Sequence, residues 1–278
     1  MKTILPAGTC GKQCRTVASP AMSTVARDPL HWVRRMESGD PVGLARLITQ
    51  VERRGTDLAP VMAEIHRRRK GAPCLGITGP PGAGKSTLVD QLIAGYRTRG
   101  QRVGVIAVDP SSPFSGGAVL GDRIRMVRHA LDAGVYIRSL GTRGRHGGLS
   151  RATRDIRAVL DAEGREVILV ETVGVGQTEL DVMEIADTTV VVLVPEAGDA
   201  VQTLKAGLLE IADVFVVNKA DRDGADRMVA DLQNLVALRG PRDGWDTPVL
   251  STSAVSGKGV TELFAALDGH AAFRKAKG

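Results

Sequence analysis

Seven short aliphatic runs, separated by longer stretches with helical spacing, dominate the sequence after residue 72. Runs of this kind are typical of strands that are buried on both faces of a parallel sheet. Strand and helix in alternation predict right-handed crossovers, and hence an α/β fold with a mostly parallel sheet and helices on both faces. The runs are CLGIT (74–78), RVGVIAVD (102–109), GVYIRSL (134–140), EVILVETV (166–173), TTVVVLVP (188–195), DVFVVNKAD (213–221) and TPVLSTSA (247–254).

Residues 28–71 show a helical pattern instead. Apolar side chains in GLARLITQVERRG recur at three- and four-residue spacings, which predicts one apolar stripe on a charged helix. A second helix is expected from about Leu58 to Arg69. We therefore predict a polar tail over residues 1–27, a small helical region over 28–71 and an α/β domain over 72–278. The stripe consists of Leu44, Leu47, Ile48 and Val51.

Composition excludes several classes of protein. Aromatic residues make up only 3% of the chain, so the core must be built from Val, Leu, Ile and Ala. The net charge of +6 fits an anionic ligand, but the aromatic platforms and basic stripe expected of a nucleic-acid binder are missing. No window approaches the roughly 18–20 apolar residues of a membrane span, and the N-terminus lacks the apolar central region expected of a secretion signal. Three cysteines are too few for a disulfide framework, and a cytoplasmic location is expected.

The segment GITGPPGAGKST follows the first aliphatic run and opens a helical stretch. It contains the pattern G-x-x-x-x-G-K-[ST], in which glycines let successive N–H groups turn toward phosphates at a helix N-terminus. Lys85 is predicted to reach the terminal phosphates and Ser86 to ligate Mg²⁺. The segment therefore predicts a P-loop NTPase. The predicted nucleotide contacts are Gly79, Pro80, Pro81, Gly82, Ala83, Gly84, Lys85, Ser86 and Thr87.

Two later segments select guanine as the base. VVNKAD places Asn218, Lys219 and Asp221 in an N-K-x-D arrangement at the end of a run. A carboxylate can accept both the N1–H and the exocyclic amine of guanine, whereas adenine would leave it unpaired. In TSAVSGKG, a backbone N–H of Ser253, Ala254 or Val255 can donate to guanine O6. Together with the phosphate loop, these segments predict GTP as the substrate.

Carboxylates after two further runs predict the metal shell and the hydrolytic centre. Phosphoryl transfer needs neutralisation of phosphate oxygens and a positioned water more than it needs covalent chemistry. Asp122 and Glu171 are assigned to the Mg²⁺ shell, directly or through water. Asp109 is assigned to the same shell or to orienting the attacking water, although a helix cap or a turn before Pro110 is an open alternative. The predicted catalytic residues are Lys85, Asp109 and Glu171, and the predicted metal ligands are Ser86, Asp109, Asp122 and Glu171.

Taken together, GPPGAGKSTL, VDPSSPFSGGAVLGDRIRM, GGLSRAT, ETVGVGQTE and NKAD resemble the MeaB family, also labelled ArgK, of GTPases associated with methylmalonyl-CoA mutase. The resemblance covers roughly residues 28–268. It implies a phosphate-loop GTPase domain preceded by a small helical region. It also implies a chaperone function, in which GTP binding and hydrolysis to GDP gate adenosylcobalamin delivery to the mutase and protect that enzyme.

One departure concerns the C-terminus. Members of that family usually continue into a helical arm used for homodimerisation, whereas this chain stops soon after a helix near residues 259–268. Three expectations follow for the homodimer, which is in doubt. The protein is a shortened relative, or it pairs through other surfaces, or its partner binding has changed. Two other functions stay open, namely a kinase for a basic amino-acid transport component, after the family's older label, and a metallochaperone-type GTPase for another enzyme.

Overall fold

The structure, a computed structural model, describes residues 28–54, 57–109, 127–129, 131–141, 148–172, 185–195 and 206–277. These residues contain one seven-stranded sheet. Its strands are β1 (Cys74–Thr78), β2 (Val103–Asp109), β3 (Val135–Gly141), β4 (Val167–Glu171), β5 (Thr188–Leu193), β6 (Val214–Val217) and β7 (Val249–Ser251). Every neighbouring pair is parallel, in the order β3-β2-β4-β1-β5-β6-β7. The predicted α/β fold is confirmed, and each aliphatic run contains one strand.

Three of the described helices precede the first strand, four lie in the β1–β2, β3–β4, β5–β6 and β6–β7 intervals, and one follows β7. Asp40 caps the second helix by accepting a hydrogen bond from Val42 N at 2.9 Å, and Pro41 occupies the first helical position. None of the helices within the described ranges is long and apolar enough to cross a membrane. They are α1 (His31–Glu37), α2 (Pro41–Arg53), α3 (Leu58–Arg67), α4 (Lys85–Thr98), α5 (Gly148–Glu163), α6 (Ala206–Ile211), α7 (Ala225–Arg239) and α8 (Val260–Lys277).

Alternating side chains of the buried strands divide the core into two layers. Leu75 and Ile77 of β1 face α4 and α8, and Val190 of β5 faces the same way. On the opposite face, Cys74 packs with α1, α2, α3 and α5. Farther along that face, Phe215 of β6 packs with α6 and α7. Helices therefore cover both faces of the sheet, as the sequence predicts.

The three N-terminal helices share a hydrophobic core with α5 and the sheet. Leu47 of α2 and Ile65 of α3 are fully buried in the same cluster as Ile156 of α5 and Ile168 of β4. These helices therefore form a layer on the sheet. The boundary at residue 71 between a helical region and the α/β domain stays a prediction.

Asp161 of α5 holds the connection between α3 and β1. Its carboxylate accepts hydrogen bonds from three consecutive backbone amides, Lys70 N at 2.9 Å, Gly71 N at 3.3 Å and Ala72 N at 3.0 Å. Arg69 Nε donates a fourth at 3.0 Å, and the Asp161 side chain is only 1% exposed. Burial alone would raise the pKa of Asp161, but these hydrogen bonds outweigh it and lower that pKa below its usual range.

Replacement of Asp161 by alanine is expected to lower the free energy of unfolding by roughly 2–4 kcal/mol, because three backbone amides, that of buried Ala72 among them, lose their acceptor. Since the folded-state pKa is lowered, this contribution is present above the unfolded pKa of about 3.9 and is lost as pH falls through the folded value. Urea unfolding followed by circular dichroism at pH 7 and at pH 3 measures both effects. A loss that is equally large at the two pH values would contradict this explanation.

The C-terminal helix is longer than the sequence analysis indicates. The prediction ends it near residue 268, whereas α8 continues to Lys277. His270 and Phe273 pack against Trp245 with ring centroids 4.9 and 5.4 Å apart, and His270 Nδ1 lies 2.8 Å from Thr188 Oγ1. These contacts hold the last turns of α8 against Trp245 and β5.

Candidate nucleotide-binding site

The predicted motifs within the described residues lie at one edge of the sheet, where the strands have their carboxyl ends. Gly79 follows β1, Glu171 ends β4, Asn218 follows β6 and Thr252 follows β7. Ile77 of β1 pairs with Glu171, which places the phosphate loop directly beside that carboxylate. In open parallel sheets, ligands bind outside this edge.

The phosphate loop, residues 79–84, connects β1 to α4 and has no room for a side chain at its first and last positions. Gly79 has φ 136°, and a Cβ there would collide with the carbonyl oxygen of Val192. Gly84 has φ 83°, and a Cβ there would collide with the side-chain amide of Asn218. Only glycine fits either position, because the conformation is left-handed and the space is occupied.

Lys85, the first residue of α4, spans this loop. Its Nζ donates to Gly79 O at 2.8 Å and to Pro80 O at 3.0 Å, and the residue is 6% exposed. The first turn of any helix also leaves backbone N–H groups without helical partners, and its dipole favours an anion. A buried ammonium beside these amides can bind the phosphates of a nucleotide.

Ser86 and Glu171 meet across the site. Ser86 Oγ donates to Glu171 Oε1 at 2.6 Å, and the two residues are 6% and 5% exposed. A hydroxyl and a carboxylate are hard oxygen donors of the kind that Mg²⁺ prefers, so this pair fits the predicted metal. Within the described ranges, no three His, Cys, Asp or Glu side chains group closely enough to hold a metal ion. The prediction therefore depends here on one hydroxyl and one carboxylate.

The side chains of two predicted residues of the hydrolytic centre lie outside the described structure. Asp109 is the last residue of β2, at the same sheet edge, but its side chain is outside the described structure. Asp122 lies outside the described residues altogether. Their assignments stay predictions.

Asn218 joins the phosphate loop to the loop after β7. Its Nδ2 donates to Ala83 O at 2.8 Å, while its Oδ1 accepts from Ala254 N at 3.0 Å and from Thr252 Oγ1 at 3.2 Å. Asn218 is 2% exposed, so these bonds are shielded from water. Thr252 could not be predicted from the sequence, because a threonine before Ser253 has no distinctive pattern.

Asp221 and its neighbours form a pocket of about 370 Å³ next to the phosphate loop. Ser253 Oγ donates to Asp221 Oδ1 at 2.8 Å, which fixes the carboxylate while the residue remains exposed. Lys219 adopts a left-handed backbone with φ 57°. The pocket extends from α4 to the loop after β7, and its size and its mostly apolar walls with a few polar groups suit a purine base. Its lining residues are Gly84, Thr87, Asn218, Lys219, Asp221, Arg222, Ser253, Ala254, Val255 and Ser256.

The three amides predicted to face guanine O6 differ in whether they already have a hydrogen-bond partner. Ser253 N donates to Lys258 O at 3.0 Å, and Ala254 N donates to Asn218 Oδ1. Within the part of the chain that the structure describes, Val255 N has no hydrogen-bond partner. Val255 also lines the pocket, so its amide is the candidate donor that remains.

A buried hydroxyl pair links the start of the phosphate loop to the residue after Glu171. Thr172 Oγ1 donates to Thr78 Oγ1 at 3.0 Å, and Thr172 N donates to Ile77 O at 3.0 Å. Both threonines are at most 2% exposed. Apart from the place of both residues at strand ends, no pattern in the sequence indicates this contact.

A parallel sheet with a phosphate loop after β1 and a base pocket between the loops after β6 and β7 defines a P-loop GTPase. A family model described as "Methylmalonyl Co-A mutase-associated GTPase MeaB" matches residues 44–278. The chain belongs to this MeaB family and is a GTPase, with GTP as its substrate.

Individual relatives agree with the family match. A Pyrococcus horikoshii protein is 52% identical over 88% of this chain and 78% of its own length. The mouse protein named methylmalonic aciduria type A homolog, mitochondrial, is 39% identical over 81% of this chain and 59% of its own length. A crystal structure of a protein named "LAO/AO transport system kinase" has a TM-score of 0.73 and 29% identity, covering 90% of this chain and 77% of that one.

Proposed function

We propose that this GTPase acts as a chaperone that gates adenosylcobalamin loading and protects methylmalonyl-CoA mutase or a related cobalamin-dependent mutase. The observation that carries the proposal is the match of residues 44–278 to a family whose description names that mutase. The name of the mouse relative, which refers to methylmalonic aciduria, points to the same metabolism. A nucleotide-dependent switch suits such gating, because hydrolysis can change the shape of loops that contact a client.

In the proposed mechanism, Lys85 neutralises charge on the terminal phosphates while the phosphate loop and the first turn of α4 bind their oxygens. Ser86, Glu171 and Asp122 would hold Mg²⁺, directly or through water, and Asp109 would complete the shell or orient the attacking water. When bound, Mg²⁺ would supply further neutralisation of the phosphate oxygens. The Ser86–Glu171 contact of 2.6 Å supports these roles because it places both oxygen donors beside the loop.

Base selection is proposed for the pocket between α4 and the loops after β6 and β7. Asp221 would accept both guanine hydrogens, and the aliphatic stem of Lys219 would lie along the purine face. Asn218 would keep the two loops in register with the phosphate loop, which its three hydrogen bonds support. Ser253, Ala254 and Val255 would form the side of the pocket that faces O6.

The mutase should raise the hydrolysis rate of this GTPase. Purified protein is mixed with methylmalonyl-CoA mutase, phosphate release is measured, and complex formation is followed by analytical size exclusion with GDP or a non-hydrolysable GTP analogue. We expect stimulation of at least severalfold and a nucleotide-dependent complex, because a client that stabilises the hydrolytic conformation lowers the barrier. The Lys85→Ala variant serves as the control without productive nucleotide. The absence of both stimulation and a complex would contradict the proposal.

A second candidate is a kinase for a basic amino-acid transport component, favoured by the name of the 29% identical protein of known structure. The two functions differ in the acceptor of the γ-phosphoryl group, which is water for the chaperone and a protein for the kinase. Incubation with γ-labelled GTP, followed by separation of free phosphate from labelled protein, distinguishes them.

A further inference from the structure

Gln91 of α4 contacts the loop that carries the candidate base-recognising amide. Its Nε2 donates to Ala254 O at 2.9 Å, and the side chain is half-buried. Gln91 lies one helical turn after Thr87, on the same face of α4. Thr87 lines the base pocket but Gln91 does not, so Gln91 contacts the loop from outside the pocket.

The hydrogen bond to Ala254 O also sets the orientation of the Val255 N–H, because both groups belong to one peptide bond. Ala254 O and Val255 N–H belong to one planar trans peptide, so they point in opposite directions. No cis peptide bond occurs among the described residues. A hydrogen bond that holds Ala254 O toward Gln91 therefore turns the Val255 N–H away from Gln91, which lies outside the pocket.

Two side chains from different elements thus fix two successive peptide planes. Asn218 Oδ1 accepts from Ala254 N and fixes the peptide before Ala254, while Gln91 fixes the peptide after it. Because Asn218 contacts only the first of these peptides, it cannot prevent rotation of the second. Gln91 makes the bond that opposes this rotation.

We propose that Gln91 is a positioning residue for base selection, which sets the 254–255 peptide so that it presents a donor and not an acceptor to the purine C6 substituent. Guanine carries an oxygen at C6 and needs a donor. A flipped peptide would present Ala254 O, which suits the C6 amine of adenine. The proposal rests on the proposed guanine pocket and adds to it a residue outside that pocket.

The test compares the affinities of GDP, inosine diphosphate and ADP for the wild type and for Gln91→Leu, by displacement of a fluorescent guanine nucleotide. Hypoxanthine keeps the C6 oxygen of guanine but lacks its C2 amine. Gln91→Leu should therefore weaken GDP and inosine diphosphate by the same factor, about three- to tenfold for one hydrogen bond. ADP affinity should not fall.

A second variant tests the donor itself. A carboxylate in Gln91→Glu repels Ala254 O, whereas its protonated form can donate to it. We therefore expect the GDP-to-ADP preference of this variant to approach that of the wild type as pH is lowered from 8 toward 5. Asp90→Asn is the matched control, because Asp90 is the adjacent α4 residue and contacts Arg128 and His129 instead of the loop. Its preference should equal that of the wild type.

Several results would overturn the inference. One is an unchanged GDP-to-ADP preference in folded Gln91→Leu, as judged by its thermal unfolding. Another is equal weakening of all three nucleotides, which would indicate a general packing role. A third is a GDP-to-ADP preference in Gln91→Glu that equals that of the wild type and does not change with pH. A wild type that binds GDP and ADP equally would instead refute the guanine pocket on which the inference rests.

Discussion

Replacement of Lys85 by alanine is expected to weaken GTP and GDP binding by about thirtyfold or more. Lys85 Nζ lies in the phosphate loop, 2.8 Å from Gly79 O and 3.0 Å from Pro80 O, and is shielded from solvent. Truncating one partner of a buried charge pair costs about 2 kcal/mol or more, which corresponds to this factor. Titration with a fluorescent GDP analogue, and competition by GTP, measures the change.

Lys275→Ala is the matched control, because Lys275 is an exposed lysine on α8, outside the proposed site. It should bind nucleotide as the wild type does. Equal affinities of Lys85→Ala and wild type would show that the ammonium does not contact the phosphates.

The second large effect is expected for Asp221→Asn, which should lower the preference for GDP over ADP by at least about a hundredfold. A site built to hydrogen-bond a ligand discriminates by roughly four to five powers of ten, and an amide cannot accept both guanine hydrogens. The amide can instead accept from N1–H and donate to the C2 oxygen of xanthine. Xanthosine diphosphate should therefore bind the variant better than it binds the wild type.

Asp223→Asn is the control for this substitution, since Asp223 is an exposed carboxylate two residues away and does not line the base pocket. Competition assays with the three diphosphates give the preference for each variant. Retained discrimination in Asp221→Asn would show that another group recognises the base.

Strands β1, β4, β5 and β6 could be predicted from the sequence because each is an almost uninterrupted aliphatic run, and burial on both faces favours that composition. Strands β3 and β7 are mostly half-buried, and β3 includes Arg138 and Ser139. The phosphate loop was equally accessible, since Gly79 and Gly84 occupy positions where a Cβ would collide with neighbouring groups. The predicted end of α8 was too early, because the contacts of His270 and Phe273 with Trp245 join residues that are distant in the chain.

The finer geometry of the site was not predictable in the same way. The contact of Ser86 with Glu171 follows from the neighbouring ends of β1 and β4, since Ser86 comes just after the phosphate loop that follows β1, but the choice among three amides after β7 does not. It depends on acceptors contributed by Lys258 and Asn218, whose positions are set by packing and not by any local pattern. Gln91 carries no signal either, because a polar residue on a partly exposed face of a helix is common in any sequence.

The hydrogen bonds of Asn218 have a consequence for how binding energy is distributed along a ligand. One buried amide ties Ala83, at the phosphate end, to Thr252 and Ala254, at the base end. Order imposed at either end is therefore transmitted to the other. Separate fragments, such as guanosine without phosphates or triphosphate without a nucleoside, would each have to organise both loops alone. The sum of the binding free energies of the two fragments should therefore be smaller in magnitude than the binding free energy of the intact nucleotide.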